Sequence, residues 1–442
     1  MTAYESWGRY PAARHTRVTR LRWRDQRLPT PEPGATLLPY GLGRSYGDAC
    51  LNDGGELVDT RHLSRFIGFD EERGILRCEA GVTLAGILDL VVPRGWFPPV
   101  TPGTKHVTVG GAIANDVHGK NHHRAGTFGC YVPRLELLRS SGQRLECSPE
   151  SNPELYAATI GGLGLTGLIV WAEIRLKRID GPAIDVESLR FESLEEFFPL
   201  AAESDAKHEY TVAWIDSLTG GRAMGRGRFL RGTHSSGGIG SRGRRSSHRT
   251  LTVPFTAPNW LCRRFLLRTL NAAYFRAHPR RTVRRRVHYE PFFYPLDRVG
   301  GWNRIYGRRG FLQYQCVVPL GERSAIGEIL LRIRRSGEGS FLSVLKLFGP
   351  QGSPGLLSFP REGVTLALDF PNTGERLLTL LDELDAIVAE AGGAVYPAKD
   401  ARMSPGRFSS FFPQWRDFAR YVDPAFSSGF WRRVTGRGTD RR

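Results

Sequence analysis

Two glycine-rich stretches carry the strongest chemical signal in this chain. They are GLGRSYGD, residues 41–48, and TPGTKHVTVGGAIANDVHGK, residues 101–120. Glycine lets backbone N–H groups approach a phosphate closely, and it adopts the positive φ angles that aim successive N–H groups at one anion. The two stretches therefore predict a cradle for the phosphates of a dinucleotide.

Two common phosphate-binding motifs do not match these stretches. A Rossmann fingerprint needs a third glycine where this chain has Tyr46, whose side chain would obstruct the packing of helix on strand. A Walker loop needs Ser or Thr after Gly-Lys, but Gly119-Lys120 is followed by Asn121. A single glycine-rich loop is often only a turn, whereas two long glycine-rich loops in series favour a site that binds a dinucleotide.

Simple patterns predict the elements that position these stretches. Residues 35–40 predict a strand leading into the first stretch, and Thr83 is a suitable N-cap for a helix with one apolar face over 84–91. A glycine-rich turn at 161–167 leads into an alternating strand that begins at Ile169. This mixture predicts an α+β fold for the first 180 residues.

After Gly181-Pro182 the pattern changes to strands with a few helices. Strands are predicted at 210–215, 311–319, 340–348 and 364–370, and helices at 323–335 and 375–391. These predict an antiparallel sheet with covering helices. At 442 residues the chain exceeds the usual size of a single core. We therefore predict a first domain over 1–180, a second over 181–395, and a return to the first domain over 396–442.

The chain is strongly basic, with a formal net charge of +18. Such a charge attracts polyanions, anionic lipid headgroups or phosphorylated substrates. Residues 232–250 are rich in Gly, Ser and Arg and predict a mobile basic loop. Two interpretations stay open, a solvated loop and a peripheral contact with an anionic membrane; nucleic acid is disfavoured as a partner.

Targeting and cysteine patterns narrow the class of protein. The longest apolar run, 163–174, is interrupted and too short to span a bilayer, and the N-terminus has no apolar signal segment. We expect a cytoplasmic protein by default, with membrane or cell-envelope association as the open alternative. Six scattered cysteines without paired spacing argue against a disulfide framework and a zinc site, so no metal is expected.

Motifs along nearly the whole chain resemble those of one family of flavoproteins. They are GLGRSYGD from Gly41, PVTPGTKHVTVGGAIANDVHGKNHH from Pro99, GGLGLTGLI from Gly161, WNRIYGRRGFLQYQCVVP from Trp302, KLFGP from Lys346, LDFP from Leu368 and YPAKDARM from Tyr396. The family is that of decaprenylphosphoryl-β-D-ribose 2-oxidase, within the vanillyl-alcohol oxidase type. The resemblance implies a two-domain FAD-binding PCMH-type fold with an antiparallel-sheet substrate domain, the cap domain.

The resemblance also implies an activity in the biosynthesis of cell-wall arabinan. An FAD-dependent oxidoreductase of this family oxidises the 2-hydroxyl of a prenyl-phosphoryl ribose to a ketone by hydride transfer to flavin N5. That step is the first half of an epimerisation, which a partner NAD(P)H-dependent keto-sugar reductase completes. In relatives with covalent flavin a histidine stands where this chain has Tyr46, so the resemblance implies non-covalent FAD here.

The resemblance assigns site residues position by position. Lys399, Tyr46 and His118 are the implied catalytic residues, and Lys120, Gln315, Lys346 and Tyr396 the implied substrate-binding ones. The implied FAD contacts are Pro39, Tyr40, Gly41, Leu42, Gly43, Arg44, Ser45, Tyr46, Gly47, Asp48, Ala49, Gly103, Thr108, Val109, Gly110, Gly111, Asn115, Asp116, Val117, His118, Ile169 and Tyr396.

Lys399 is the expected main catalytic polar group. A lysine desolvated against a flavin can have its pKa lowered, so it can act as a base, or it can stay cationic and stabilise an alkoxide. Both roles stay open at this stage. The chain departs from the family that it resembles at Ala367, where the resemblance implies a cysteine, so a covalent attack at that position is impossible.

Two other functions also remain open. A flavin oxidase of a small soluble polyol or aldonolactone, which passes electrons to oxygen, would share both glycine stretches. A non-enzymatic basic surface-binding protein could retain the scaffold without the activity.

Overall fold

The computed structural model describes residues 4–237, 251–256, 264–278, 282–340 and 342–436. Its strands are, in chain order, β1 (Arg17–Arg20), β2 (Leu37–Tyr40), β3 (Glu56–Asp59), β4 (Phe66–Asp70), β5 (Ile75–Glu79), β6 (Trp96–Phe97), β7 (Arg134–Leu138), β8 (Arg144–Cys147), β9 (Leu168–Arg175), β10 (Lys177–Arg178), β11 (Ala183–Phe191), β12 (Tyr210–Ile215), β13 (Gly227–His234), β14 (Leu251–Thr252), β15 (Thr282–His288), β16 (Val299–Gly300), β17 (Phe311–Val318), β18 (Ser343–Phe348), β19 (Gly363–Pro371) and β20 (Ala394–Val395).

In the described ranges the four longest α-helices all lie between residues 194 and 390. They are α1 (Leu84–Val91), α2 (Val109–Ala114), α3 (His122–Ala125), α4 (Pro153–Thr159), α5 (Leu194–Lys207), α6 (Arg264–Arg276), α7 (Tyr289–Phe293), α8 (Ser324–Ser336), α9 (Glu375–Glu390), α10 (Pro405–Phe411), α11 (Trp415–Ala419) and α12 (Gly429–Thr435). No helix in the described ranges is long and apolar enough to cross a membrane.

Two sheets in the first 180 residues hold the glycine stretches. A parallel sheet has the order β1-β3-β2, and an antiparallel one has the order β4-β5-β9-β7-β8. The first stretch begins directly after β2, as the sequence predicts. Helix α1 starts at its predicted cap, where Thr83 Oγ1 accepts the N–H of Gly86 at 3.1 Å. Its apolar face is buried, so the α+β prediction for this part is confirmed.

The second half is built on one eight-stranded antiparallel sheet. Its order is β15-β11-β13-β12-β18-β19-β17-β20. Alternate residues of β17 show why one face is core: Leu312, Tyr314 and Cys316 are buried among the apolar side chains of α8 and α9, whereas Gln313 and Gln315 point the other way. The predicted antiparallel sheet with covering helices is confirmed.

The predicted basic loop begins later than expected. Residues 232–234 form the end of β13, where Gly232 pairs with Val186 on one side and Tyr210 on the other. Pairing on both sides satisfies the backbone and outweighs the loop-like composition. Residues 235–237 follow β13 and belong to no helix or strand, and residues 238–250 lie outside the described residues. Cys262 does too, and the described cysteines are free.

The C-terminal segment packs against β2 and against the last residue of the first glycine stretch. The N–H of Leu37 donates to Ala425 O at 2.7 Å, and that of Ser427 donates to Leu37 O at 3.0 Å. Arg433 of α12 bridges Asp48 at 2.6 Å and Asp400 at 3.0 Å. This segment therefore joins the first glycine stretch to the turn that carries Lys399. We retain the three-part domain division as a prediction.

Candidate active site

A cavity of about 1110 Å³ lies between the glycine stretches and the face of the eight-stranded sheet that is turned away from α8 and α9. Ligand pockets commonly measure roughly 300 to 1,000 Å³, so this cavity is large enough for a big ligand. Both glycine stretches contribute to its wall, and so do β12, β17, β18 and β19. The cavity thus joins the predicted phosphate cradle to the predicted substrate residues.

The first glycine stretch presents free backbone donors. In the part of the chain that the structure describes, the N–H groups of residues 42–44 donate to no protein acceptor. Gly43 has φ +59°, and a Cβ there would lie 2.2 Å from the Tyr40 hydroxyl oxygen. Only glycine fits this close turn. The stretch therefore suits the phosphates of a dinucleotide, which would accept these N–H groups.

The second stretch supports the first one. Gly110 donates its N–H to Ala80 O at 2.8 Å, and Gly111 donates to the capping Thr108 Oγ1 at 3.2 Å. A Cβ on Gly41 would lie 2.5 Å from that same Thr108 oxygen. The two stretches thus touch, and glycine at position 41 is what permits the contact.

Most of the residues assigned to the cofactor do line the cavity. They are Pro39, Gly41, Leu42, Gly43, Arg44, Ser45, Tyr46, Ala49, Gly103, Thr108, Gly110, Gly111, Asn115, Val117, His118, Ile169 and Tyr396.

Five of the residues assigned to the cofactor do not line the cavity, namely Tyr40, Gly47, Asp48, Val109 and Asp116. Tyr40 donates its hydroxyl to Glu5 O at 2.7 Å, and the Asp48 carboxylate pairs with Arg433. The carboxylate of Asp116 accepts the N–H of Gly129 at 2.8 Å. The side chains of Tyr40, Asp48 and Asp116 hold the glycine stretches in place.

His118 is half-buried and lies between two implied substrate residues. Its Nδ1 lies 2.9 Å from Lys346 Nζ, and its Nε2 lies 2.9 Å from Gln315 Nε2. Lys346 also donates to Gly119 O at 2.7 Å. Burial, and then the neighbouring Lys346, lower the pKa of His118 well below its usual value. A neutral, firmly oriented imidazole results.

Lys399 lies beside Tyr46 at the meeting point of the two halves. The N–H of Tyr46 donates to Ala398 O at 2.9 Å, and Lys399 Nζ lies 3.9 Å from the centre of the Tyr46 ring. Among the described residues Nζ has no hydrogen-bond acceptor. Burial lowers the pKa of Lys399 to about 7, while the charge of Asp369 opposes the shift. The amine can therefore exchange a proton near neutral pH.

Asp369 is a functional candidate that the sequence reasoning missed. It is fully buried on β19, where Gln313 Nε2 donates to its Oδ1, and burial raises its pKa to about 7. The LDFP motif contains it, but nothing in that motif indicates that the acid faces Lys399. Gln313, the partner of Asp369, lies two residues before Gln315 on the same face of β17. This spacing is the sequence signal that could have indicated Gln313 as a residue of the site.

Lys120 adds a third lysine to the cavity. Its Nζ donates to Phe293 O at 3.1 Å and lies 5.7 Å from that ring's centre. Burial lowers its pKa to about 8, so it stays mostly protonated at pH 7. Lys120, Lys346 and Lys399 all line one cavity, which favours an anionic ligand. Ala367 lines the same wall and leaves room there.

Comparisons with known proteins agree with this geometry. The model of the FAD binding domain family matches residues 30–148. The chain is 37% identical over 417 residues to decaprenylphosphoryl-β-D-ribose oxidase of Mycolicibacterium smegmatis, covering 91% of this chain and 90% of that protein. An uncharacterised protein of Streptomyces coelicolor is 34% identical over 80% of this chain and 100% of its own length.

A more distant similarity is confined to part of the chain. Cytokinin dehydrogenase 8 of Oryza sativa is 31% identical over 179 residues, which are 38% of this chain and 33% of that enzyme. The long match and the FAD domain identify a flavoprotein, as the glycine stretches predict. The chain therefore belongs to the decaprenylphosphoryl-β-D-ribose oxidase family and is an FAD-dependent oxidoreductase.

Proposed function

We propose that the protein oxidises the 2-hydroxyl of a prenyl-phosphoryl ribose to a ketone. The observation that carries this proposal is the set of three lysines, the buried Lys346 and the half-buried Lys120 and Lys399, that line one cavity together with the glycine stretches. FAD, held by residues 41–46 and 108–118, supplies the hydride acceptor when bound. The alcohol loses a hydride from C2 and a proton from its oxygen, and the protein provides for the proton.

Lys399 takes that proton in our proposal. Its pKa of about 7 leaves a large fraction of neutral amine at physiological pH, and this form can accept the hydroxyl proton. Its position against the Tyr46 ring fixes the amine beside the loop that would hold the flavin phosphates. Asp369 then stabilises the ammonium ion that forms.

Lys120, assisted by Lys346, is the proposed phosphate clamp. Lys120 carries its charge at pH 7, and a phosphate would compensate this half-buried cation, which lies beside Phe293. A neutral polyol or aldonolactone would leave that charge uncompensated. The cavity therefore favours a phosphorylated sugar over the polyol alternative.

Anaerobic bleaching of the flavin tests the function. We expect farnesyl-phosphoryl ribose to bleach the bound flavin completely, while free ribose, ribitol and an aldonolactone leave it oxidised. Bleaching by the free polyols, without bleaching by the phosphoryl sugar, would contradict the proposal and would show that the protein is an oxidase of small polyols. The prenyl-phosphoryl arabinose epimer serves as the stereochemical control.

The flavin is expected to be non-covalent, because a tyrosine stands at position 46 and cannot form a histidyl bond. The purified protein should be yellow, and acid precipitation should release FAD into the supernatant. Yellow colour that stays with the pellet would contradict this assignment.

The pH dependence of flavin reduction reports on Lys399. We expect the rate to rise as the pH increases through about 7, since the neutral amine is the active form. The charge of Asp369 raises the pKa of Lys399, so Asp369→Asn should move the midpoint to lower pH. Stopped-flow reduction between pH 5.5 and 9 measures both midpoints. An unchanged midpoint in Asp369→Asn would show that the charge of Asp369 does not affect the pKa of Lys399.

Two partners follow from the proposed reaction. A keto-sugar product needs an NAD(P)H-dependent reductase to return it as the epimer, and we place this chain before such an enzyme. A lipid-linked substrate also places the enzyme at a membrane surface, where its net charge of +18 suits anionic headgroups.

A further inference from the structure

The first described residues of the chain connect the two halves of the molecule. Residues 4–10, which we call the N-terminal strap, belong to no helix or strand. On the side of the first glycine stretch, the N–H of Trp7 donates to Ser45 O at 2.8 Å. On the side of the eight-stranded sheet, the N–H of Phe311 donates to Gly8 O at 2.9 Å. The N-terminal strap therefore joins the first glycine stretch to the start of β17.

Gly8 is buried at the point where the two halves come closest to the strap. A Cβ on Gly8 would lie 2.3 Å from Tyr46 O and 2.6 Å from Phe311 O. Both are backbone atoms, which cannot rotate away as the end of a side chain can. Across the contact, a Cβ on Gly310 would lie 2.2 Å from Gly8 O. Only glycine therefore lets the strap pass between the backbone of Tyr46 and that of β17.

Aromatic rings continue this contact toward the active site. The rings of Trp7 and Trp302 meet edge to face, with centroids 5.5 Å apart. The ring of Phe311 stacks on that of Tyr306, with centroids 4.3 Å apart and an angle of 10° between the planes. The Phe311 ring also meets the Tyr46 ring edge to face, with centroids 5.3 Å apart. The strap and the start of β17 thus fix the Tyr46 ring.

Tyr46 in turn contacts Lys399. Its N–H donates to Ala398 O at 2.9 Å, and its ring centre lies 3.9 Å from Lys399 Nζ. Lys399 is half-buried and lines the cavity, whereas Gly8 does not line it. An effect of Gly8 on Lys399 must therefore pass through the residues that the strap holds, of which Tyr46 is the one in contact with both.

We propose that the N-terminal strap is a positioning element for Lys399, because it holds the Tyr46 ring that shields the amine from water. Gly8 and Trp7 are the positioning residues. Their role rests on the proposed function for the part that Lys399 plays in the reaction. Since burial lowers the pKa of Lys399 to about 7, a loosened Tyr46 ring would let water reach the amine and raise that pKa toward its ordinary value. The neutral fraction of the amine at pH 7 would then fall.

The charged and titratable groups around Lys399 stay the same when the strap is changed. Asp369 on β19 acts on Lys399 by its charge, and the charge of Lys399 acts on Lys346 of β18 and on His118 of the second glycine stretch. Gly8→Ala adds one methyl group and alters none of these charges. A change in the pKa of Lys399 in this variant therefore reports on the exposure of the amine to water.

Competitive acetylation of the FAD-loaded protein measures this pKa without any substrate. Trace acetic anhydride modifies only neutral amines, so the modification of Lys399 against pH gives its midpoint, with the exposed Lys207 as internal reference. We expect the midpoint in Gly8→Ala to rise by about one pH unit or more, a part of the roughly 3 to 5 units that full burial can produce. Gly321→Ala is the matched control, because a Cβ there meets no atom within 4 Å. An unchanged midpoint in folded, FAD-containing Gly8→Ala would overturn the inference.

Substitutions of Trp7 test the same role if Gly8→Ala does not fold. Trp7→Ala removes the ring that lies 4.1 Å from the Arg44 guanidinium, and it should raise the midpoint of Lys399 in the same direction. Trp7→Phe keeps an aromatic ring and should stay close to the unmodified protein. A lower melting temperature in Trp7→Ala without any change in the midpoint would show that the strap only stabilises the fold, and would contradict the assignment.

Substrate oxidation separates this inference from the proposed function. If Gly8→Ala moves the acetylation midpoint but no ribosyl derivative bleaches the flavin of the unmodified protein, the proposed function fails and the role of the strap stands. If farnesyl-phosphoryl ribose bleaches the flavin but the acetylation midpoint does not move, the proposed function stands and the role of the strap fails. If both are correct, the pH midpoint of flavin reduction should rise together with the acetylation midpoint in Gly8→Ala.

Discussion

Replacing Lys399 by alanine is expected to slow the reduction of bound FAD by substrate about a hundredfold or more. This factor is the usual contribution of a positioned acid or base. The amine has no acceptor among the described residues and sits 3.9 Å from the Tyr46 ring centre, so its removal breaks no hydrogen bond to them. FAD content and melting temperature should therefore stay close to those of the unmodified protein, and anaerobic stopped-flow measures the rate.

Lys207→Ala is the matched control for this experiment. Lys207 lies on the surface of α5 in an exposed pair with Glu203, at 3.0 Å. The same substitution there should leave the rate unchanged. A near-normal rate of flavin reduction in Lys399→Ala would show that Lys399 does not take part in the proton transfer. Loss of FAD from the variant would show that Lys399 has a structural role.

Arg433→Ala is expected to lower the free energy of unfolding by about 3 to 5 kcal/mol, the usual effect of breaking a buried ion pair by removing one partner. Arg433 bridges the carboxylates of Asp48 and Asp400 and donates to Met403 O at 2.6 Å. Its loss leaves two neighbouring buried carboxylates without their cation. We expect a lower melting temperature and weakened FAD binding, since Asp48 ends the first glycine stretch.

Arg420→Ala is the surface comparison. Arg420 pairs with Asp417 at 3.5 Å, and both side chains are mostly exposed. Such pairs contribute about 0 to 1 kcal/mol, so this variant should melt almost like the unmodified protein. Thermal unfolding of both variants, with and without added FAD, measures the difference. Similar melting temperatures for the two variants would show that the Arg433 bridge is not needed.

Local patterns predicted the parts of the site that lie within one segment. The glycine stretches, the Thr83 cap and the alternating strand β17 are each specified by neighbouring residues, and the structure shows them close to their predicted bounds. The antiparallel sheet could also be predicted, because the alternation of apolar and polar residues and the turn-forming residues between strands are local features of the sequence. The resemblance supplied Lys399, which composition alone would not have singled out.

Contacts between distant segments could not be predicted in this way. Asp48 was assigned to the cofactor, yet its carboxylate faces Arg433, which lies 385 residues later. The charge of Asp369 acts on Lys399 only after β19 and the turn beyond β20 are packed together. The sequence predicts a loop at the end of β13, because a Gly- and Arg-rich segment gives no local signal of its pairing with β11 and β12.

The most direct test of the central claim uses farnesyl-phosphoryl ribose that carries deuterium at C2. Anaerobic stopped-flow follows the bleaching of the bound flavin, and chemical analysis identifies the product. We predict that the C2 label slows bleaching, that a C3 label does not, and that a 2-keto sugar accumulates in proportion to reduced flavin. Bleaching that is insensitive to the C2 label but slowed by a label elsewhere, or no bleaching at all, would contradict the account.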